Sequence, residues 1–371
     1  MDDRVRTGIP FVYVQAKGSY RELGRAVGEA ARAQVEASVA FFRDNFAAMS
    51  GGMPFAEAAR QAAAYGEYAR RYLPQYVEEL EGLAEGSGQP FAELLVLNCG
   101  EEFTAGEPVG GAAPLAHGRG GGDHCTAVAA VSRGRRVVGH DMDWCVIDAP
   151  NNVLFDLTVP DGTRLLGIAG APYLLMLGMS SHGVANVSNS VHSTDNRVGV
   201  PNVFVRRWSI EAPTLEEAMA RGALEARARG TNHFFADLAG RLWNVEASAT
   251  ATAFADHTQT GFMAHTNHYA APEMQAYEGS QHRESRTRLA TAERLLAEGV
   301  ARDDDPFELV ARVLRCHEPT PDECICGHPD ETRPLAERVM TVGSMICDLD
   351  ERRLYACAGP PCENPYQVFT M

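Results

Sequence analysis

The hydrophobic period of this chain changes at one place. Up to about residue 103 apolar residues recur at helical spacing, and from Thr126 onward they fall into short strand-like segments bounded by turn residues. Between the two lies 104–123, a Gly/Ala/Pro-rich run with too little apolar surface to order itself. The stretch "SYRELGRAVGEAARAQVEASVAFF" opens with a capping box, Ser19 with Glu22 three residues on, and spaces Leu23, Val27, Val35 and Val39 as a helix would. Further helices are predicted over "PFAEAARQAAAYGEYARRY", "PQYVEELEGLAEG" and "PFAELLVLNCGEE". The second part predicts antiparallel hairpins: "TAVAAVS", "RRVVGHDMDW", "NVLFDLTVP", a turn at Asp161 and Gly162, "TRLLGIAG", "YLLMLGM" and "GVANVSNSV". A helix at "TLEEAMARGALEARA", capped by Thr214 with Glu217, precedes a hairpin turning at Gly240. Two more helices, "RTRLATAERLLAE" and "PFELVARVLRC", precede a closing hairpin at "ERVMTVGSMICDLDERRLYACAG". Helices before, between and after the strands predict helices covering packed antiparallel sheets.

Composition removes several function classes. With 371 residues, 45% of them hydrophobic, the chain can bury a sizeable core. A formal net charge of −16 argues against nucleic-acid and anionic-membrane surfaces, which need clustered cations. The start, "MDDRVRTGIPFVYV", lacks an apolar run of signal-peptide length, and nowhere is there an apolar run of membrane-spanning length, so a cytoplasmic protein is expected. Nine cysteines, an odd count spread from Cys99 to Cys362, read as reduced thiols. Lys17 is the sole lysine and has no catalytic companions nearby, which argues against Schiff-base chemistry.

The segment "GGDHCTAV" sets Cys125 directly after the Gly-rich run. An exposed, disordered loop is easily cut, and a cut before Cys125 would make it N-terminal. Nucleophile and base would then share one residue, because an α-amine titrates near ~7.7–8.0 and a thiol near ~8.5. Taken alone, a cysteine is more often an ordinary buried thiol, so the neighbouring motifs decide.

Those motifs resemble the isopenicillin N acyltransferase family of cysteine N-terminal nucleophile (Ntn) hydrolases, relatives of the bile-salt and penicillin V amidases. "CTAV" resembles the new terminus, "GHDMDW" the second strand, "AHTNHY" the asparagine strand, "SRTRL" a helix start, "ICGH" a later loop, and "TVGSMICD" with "LYACAGPPCENPY" the closing hairpin. The resemblance implies an α+β fold, a four-layer αββα sandwich forming one domain. It further implies self-cleavage between His124 and Cys125 into fragments 1–124 and 125–371 that stay associated. Cys125 takes the nucleophile position. Asp143, eighteen residues on, takes that of the aspartate orienting the cysteine amine, and Asn267 that of the oxyanion asparagine. Asn189 matches a second polar residue lining the site, and Arg286 a substrate or backbone anchor. The chain departs from the family at His140 and Asp141, where Gln or Arg followed by Asn is expected, and at His124, where glycine precedes the cut in the founding enzyme. His140 and Asp141 would form a titratable pair beside Asp143, tuning the site near pH 6–7.

The expected activity is hydrolysis of a small-molecule amide or acyl thioester through a thioester on Cys125, preferred over acyl transfer and requiring no cofactor. Keywords that go with it are amidase and secondary metabolism; oligomeric state is left open. Two other readings stand beside it. One is an unprocessed binding or scaffold protein of the same fold. The other is a zinc protein using the cluster from Cys316 to His328, where Cys316, His317, Cys324, Cys326 and His328 supply ligand types without a standard zinc spacing. On spacing, that cluster reads as an ordinary loop. His265 and His268, flanking Asn267, are likewise not read as metal ligands, since alternate strand residues face opposite ways.

Overall fold

The structure, a computed structural model, describes residues 11–104, 124–279 and 283–371. The expectation of a disordered run thus lies, from residue 105 to 123, outside the described residues. A short strand, β1 (Val12–Lys17), leads into α1 (Tyr20–Ala30), α2 (Arg32–Met49), α3 (Phe55–Tyr72), α4 (Pro74–Ser87), α5 (Phe91–Asn98) and α6 (Gly100–Thr104). Next come β2 (Thr126–Ser132), β3 (Arg135–Cys145), β4 (Asn152–Thr158), β5 (Arg164–Gly170), β6 (Leu177–Ser180) and β7 (Val184–Ser190). After α7 (Asn202–Ile210) and α8 (Leu215–Gly222) follow β8 (Thr231–Asp237), β9 (Leu242–Ala247), β10 (Thr252–Asp256) and β11 (Phe262–His265). The chain closes with α9 (Arg283–Ala301), α10 (Pro306–Leu314), β12 (Val339–Asp348), β13 (Arg353–Ala358) and β14 (Gln367–Thr370).

Strands β1-β4-β5-β6-β7-β8-β9-β10 make an eight-stranded sheet, and β11-β2-β3-β12-β13-β14 a six-stranded one. The paired strands run antiparallel, with β1 on β4 the parallel exception. Alternation along each strand builds the layers. Ala127 and Ala129 of β2 face the other sheet, meeting Leu154, Ile168 and Val187. Val128 and Ala130 face outward onto Leu296, Leu309 and Val310 of α9 and α10. On the eight-stranded sheet Val153 and Phe155 face outward into a core shared with Leu23, Phe46, Leu80 and Leu94 of the first helices. Helices, sheet, sheet, helices is the four-layer αββα sandwich that the resemblance implied.

Capping survives from sequence to structure. Ser19 and Glu22 form the full capping box at α1, and Thr214 accepts from the Glu217 N–H at α8. The first long helical stretch, however, is broken at Ala31 (φ −105°, ψ 23°) into α1 and α2. The break frees α1 to lie on α4 at backbone contact. Gly24 and Gly28 of α1 face Gly82 and Gly86 of α4, and a Cβ added at Gly82 would stand 2.0 Å from the Arg21 carbonyl oxygen. Helix α7 escaped prediction because Arg206 and Arg207, charged in sequence, are among its buried residues.

Those arginines tie the first helices to the rest of the molecule. Arg207 is fully buried between Glu79 of α4, at 3.0 Å, and Glu211, while Arg206 pairs with Glu101 of α6. Because the α1–α4 contact is backbone on backbone, no rotamer change can relieve a new methyl group. Gly82→Ala should therefore destabilise the protein by about 3 kcal/mol, overriding the ~1 kcal/mol that alanine gains over glycine in a helix. Denaturant unfolding of the pair of proteins measures this directly.

Candidate active site

Cys125 immediately precedes β2, whose alternation turns its side chain toward the space between the sheets. Its Sγ lies 3.9 Å from the backbone carbonyl oxygen of Asp143 on β3. A pocket of about 680 Å³ empty volume, counting its open mouth, is bordered by Cys125, His140, Met142 and Asp143. Leu97, Trp144, Tyr173 and Met176 give it an apolar wall, while Glu101, Arg206 and Asp148 supply polar groups. Burial without a charged partner pushes the Asp148 carboxyl up to about 7, with the Ser38 hydroxyl pulling the other way.

Beneath Cys125, on the outward face of the six-stranded sheet, sits a guanidinium the sequence did not single out. Arg288 of α9 is 1% exposed. Its Nη1 donates to the carbonyl oxygens of His124 at 2.5 Å and Cys125 at 2.8 Å and to Thr126 Oγ1 at 3.0 Å, and its Nη2 donates to Asn267 Oδ1 at 3.0 Å. Burial lowers its pKa, and the Asp143 carboxylate is the foremost charge opposing that fall. Arg288 thus joins four of the sequence-predicted residues: His124, Cys125, Asn267 and, electrostatically, Asp143. Arg286, two positions earlier, is exposed on α9 and is not brought to this cluster. The physical reason is helical geometry, since two residues turn a side chain about 200° around the axis. The signal available in "SRTRL" was the second arginine, lying on the buried side with Ser285.

Asp143 is buried, and burial pushes its carboxyl up to about 7 against the Thr341 hydroxyl and Arg288, which lower it. Asn267 lies just past the end of β11. One N–H of its amide donates to the Ser190 carbonyl at 3.0 Å, and its backbone N–H donates to Ser285 Oγ at 2.9 Å.

His140 and Asp141 are neighbours in sequence but not partners in space. His140 faces the other sheet, its Nε2 near Ser188 O at 3.0 Å and Asn189 Oδ1 at 3.3 Å, and burial lowers its pKa to about 4. Asp141 faces the opposite side, where burial, and then the neighbouring Asp143, raise its carboxyl well above the carboxylate range. Strand alternation turns the two side chains to opposite faces, so they do not form the pair expected from sequence, and burial takes His140 below the pH 6–7 range. Asn189 links His140 to a buried relay. Its Nδ2 donates to His265 Nδ1 at 3.3 Å, and His265 Nε2 donates to Glu246 at 2.9 Å. Burial would raise the Glu246 carboxyl, but His265 and the Ala270 and Ala271 N–H groups hold it below the usual range. His268 instead meets Ser285 Oγ at 2.8 Å, so the two histidines flanking Asn267 serve different partners.

A family model described as acyl-coenzyme A:6-aminopenicillanic acid acyl-transferase matches residues 132–333, more than half of the chain. Over 258 residues the chain is 22% identical to the 40 kDa form of acyl-coenzyme A:6-aminopenicillanic-acid-acyltransferase of Emericella nidulans, covering 69% of each protein. Among solved structures it is similar to penicillin V acylase from Agrobacterium tumefaciens, with a TM-score of 0.44 and 13% identity over 63% of this chain and 83% of that one. It is also similar to a variant of conjugated bile acid hydrolase from Clostridium perfringens, with a TM-score of 0.43 and 12% identity over 67% and 97% of the two chains.

Asp148 gives the pocket a measurable pH signature. Its folded pKa of about 7 lies above the ordinary value of 3.8, so between these values the folded chain holds a proton that the unfolded chain releases. The stability it contributes is full below about pH 4 and lost as pH rises through about 7. Asp148→Asn should make that part of the stability profile shallower, read as Tm against pH from pH 4 to 8, with Asp143, raised to about 7 in the same way, keeping its own share, and an equally steep decline in the variant would rule out Asp148 as a source.

Proposed function

Given that the chain belongs to the acyl-coenzyme A:6-aminopenicillanic acid acyl-transferase family, we propose that it is a self-processing cysteine amidohydrolase acting on a small-molecule amide or acyl thioester, with hydrolysis preferred over transfer. The observation that carries this reading is the Arg288 guanidinium on the His124 carbonyl, the carbonyl of the bond to be cut, beside the Cys125 thiol. In the proposed first step the thiol attacks that carbonyl and the amide nitrogen leaves as an amine, giving a thioester that water hydrolyses. Negative charge gathers on the His124 oxygen as the thiol adds, and Arg288 is already aimed at it. The product is an N-terminal Cys125 whose α-amine serves as base. Asp143, buried nearby, orients that amine and favours its charged form once the thiol proton has moved.

In turnover the thiolate attacks the substrate carbonyl, the amine or thiol leaving group departs with a proton from the Cys125 α-amine, and water resolves the acyl-enzyme. Asn267, its carbonyl held by Arg288, would turn its second N–H to the tetrahedral oxyanion. The apolar wall of Leu97, Met142, Trp144 and Met176 suits an apolar acyl arm. Hydrolysis is preferred because transfer needs a second binding site for the acceptor amine in addition to the acyl site. After cleavage, β1 on β4 and the buried Arg207–Glu79 pair would keep the two fragments together. A cytoplasmic place and a role in secondary metabolism belong to the same reading.

Denaturing intact-mass measurement tests the processing step. Wild-type protein should separate into pieces of 124 and 247 residues, the second beginning with cysteine. Cys125→Ala should remain one chain and be inactive, and Cys125→Ser should be slow in both cleavage and turnover. An uncut 371-residue chain with full activity would sink the mechanism.

On processed enzyme, Asn267→Ala should lower kcat by about 10²–10³-fold, the usual loss for one oxyanion donor. With a panel of acyl amides, product analysis should show the free acid, and an acceptor-dependent product that outcompetes it at modest amine concentration would assign transfer instead.

A further inference from the structure

Four potential ligand side chains outside the pocket converge on a single point. His317 follows α10, Cys326 and His328 lie in the loop before β12, and Cys362 lies between β13 and β14. One donor atom from each falls within 4.8 Å of the other three. His317 Nε2 stands 3.2 Å from His328 Nε2, His328 Nε2 stands 3.3 Å from Cys362 Sγ, and the sulfurs of Cys326 and Cys362 are 3.5 Å apart. Zinc takes nitrogen at about 2.0–2.1 Å and sulfur at about 2.3 Å, so the edges of a tetrahedral site measure about 3.3–3.4 Å for N···N, 3.5–3.6 Å for N···S and 3.8 Å for S···S. The three separations agree with those edges to a few tenths of an ångström. The sulfurs are also well beyond the ~2.05 Å of a disulfide.

A second observation points the same way. The far nitrogen of His328, Nδ1, lies 3.5 Å from Glu363 Oε1, so a carboxylate stands on the side away from the other ligands, where a small shift would let it orient the ring with Nε2 as the ligand. A nucleophile reading of Cys362, His328 and Glu363 would leave the convergence of His317 and Cys326 without a cause. We infer that His317, Cys326, His328 and Cys362 form a closed Cys2His2 site for a structural Zn²⁺ ion. On binding, the two thiols release their protons to solvent, and two thiolates with two neutral imidazoles give a site of no net charge around the ion.

The ion would clamp a loop that backs the reaction centre. Gly327, between two ligands, donates its N–H to Thr341 Oγ1 at 2.9 Å and accepts from the Thr341 N–H at 3.1 Å, and the Thr341 hydroxyl in turn lowers the pKa of the buried Asp143 carboxyl. Zinc binding itself does not depend on whether Cys125 is a nucleophile. Sequence spacing hid the site because Cys362 lies far along the chain from the other three ligands, and because Cys316 and Cys324, adjacent in sequence, stay out of it.

Elemental analysis of the purified full-length protein should find about one zinc per chain. Cys362→Ser, at an exposed position, should lower zinc occupancy at least tenfold, whereas Cys316→Ser should leave it unchanged. Cobalt exchanged into the wild-type protein should give the thiolate charge-transfer absorption and intense visible bands of a tetrahedral site, a readout that needs no variant to fold. Wild-type protein with less than a tenth of a zinc per chain that gives no such bands with cobalt would overturn the proposal, as would zinc retained in full by Cys362→Ser.

Discussion

A cation that, among the described residues, has no carboxylate at hydrogen-bond distance holds the centre of this molecule together. Arg288 is buried, and the groups it bonds are carbonyl and hydroxyl oxygens of His124, Cys125, Thr126 and Asn267. Burying a guanidinium is costly unless its donors are satisfied. Here the two terminal nitrogens are satisfied from the start of β2 and the segment after β11, with Asp143 on β3 acting at longer range, while Nε has no partner among the described residues. The outer helix α9 therefore cannot dock correctly until two neighbouring strands of the six-stranded sheet have their ends in register. The same requirement leaves the His124 carbonyl polarised, so one contact serves the fold and primes the proposed reaction.

The interior between the sheets shows a different economy of polar groups. His140, Asn189, His265 and Glu246 run as a chain of hydrogen bonds from the pocket edge across to the far sheet. Each member has at least one partner that fixes its orientation, although His140 Nδ1 has none among the described residues, and buried networks rigidify a core to the extent that they are satisfied. The buried His140 ring is held by Ser188 and Asn189, and it stays neutral at ordinary pH because it is buried.

How much of this was legible in the sequence follows from what each signal depends on. Helix starts at Ser19 and Thr214 and the hairpin turn at Gly240 are local chemistry, and they appear where the sequence indicated. The four layers were legible because helical and strand periods occupy separate stretches. What escaped depends on pairing across long separations. Arg207 reads as a surface charge until Glu79 and Glu211 are brought to it. Choosing between Arg286 and Arg288 requires knowing which side of α9 is buried. Cys362 looks isolated until the chain returns it to the loop holding Cys326.

The parallel pairing of β1 with β4 carries a kinetic consequence. Val12 lies beside Val153, so an uncut chain must close a span of helices and two strands of the other sheet before that pair can form. Closure is then a unimolecular event with a high effective concentration. A molecule severed at the proposed bond would lose this tether while keeping the finished contact. Once unfolded, it would have to find its other half by diffusion, so its assembly would become a memory of the intact chain. Its lifetime would then be set by the barrier to opening, with no quick way back.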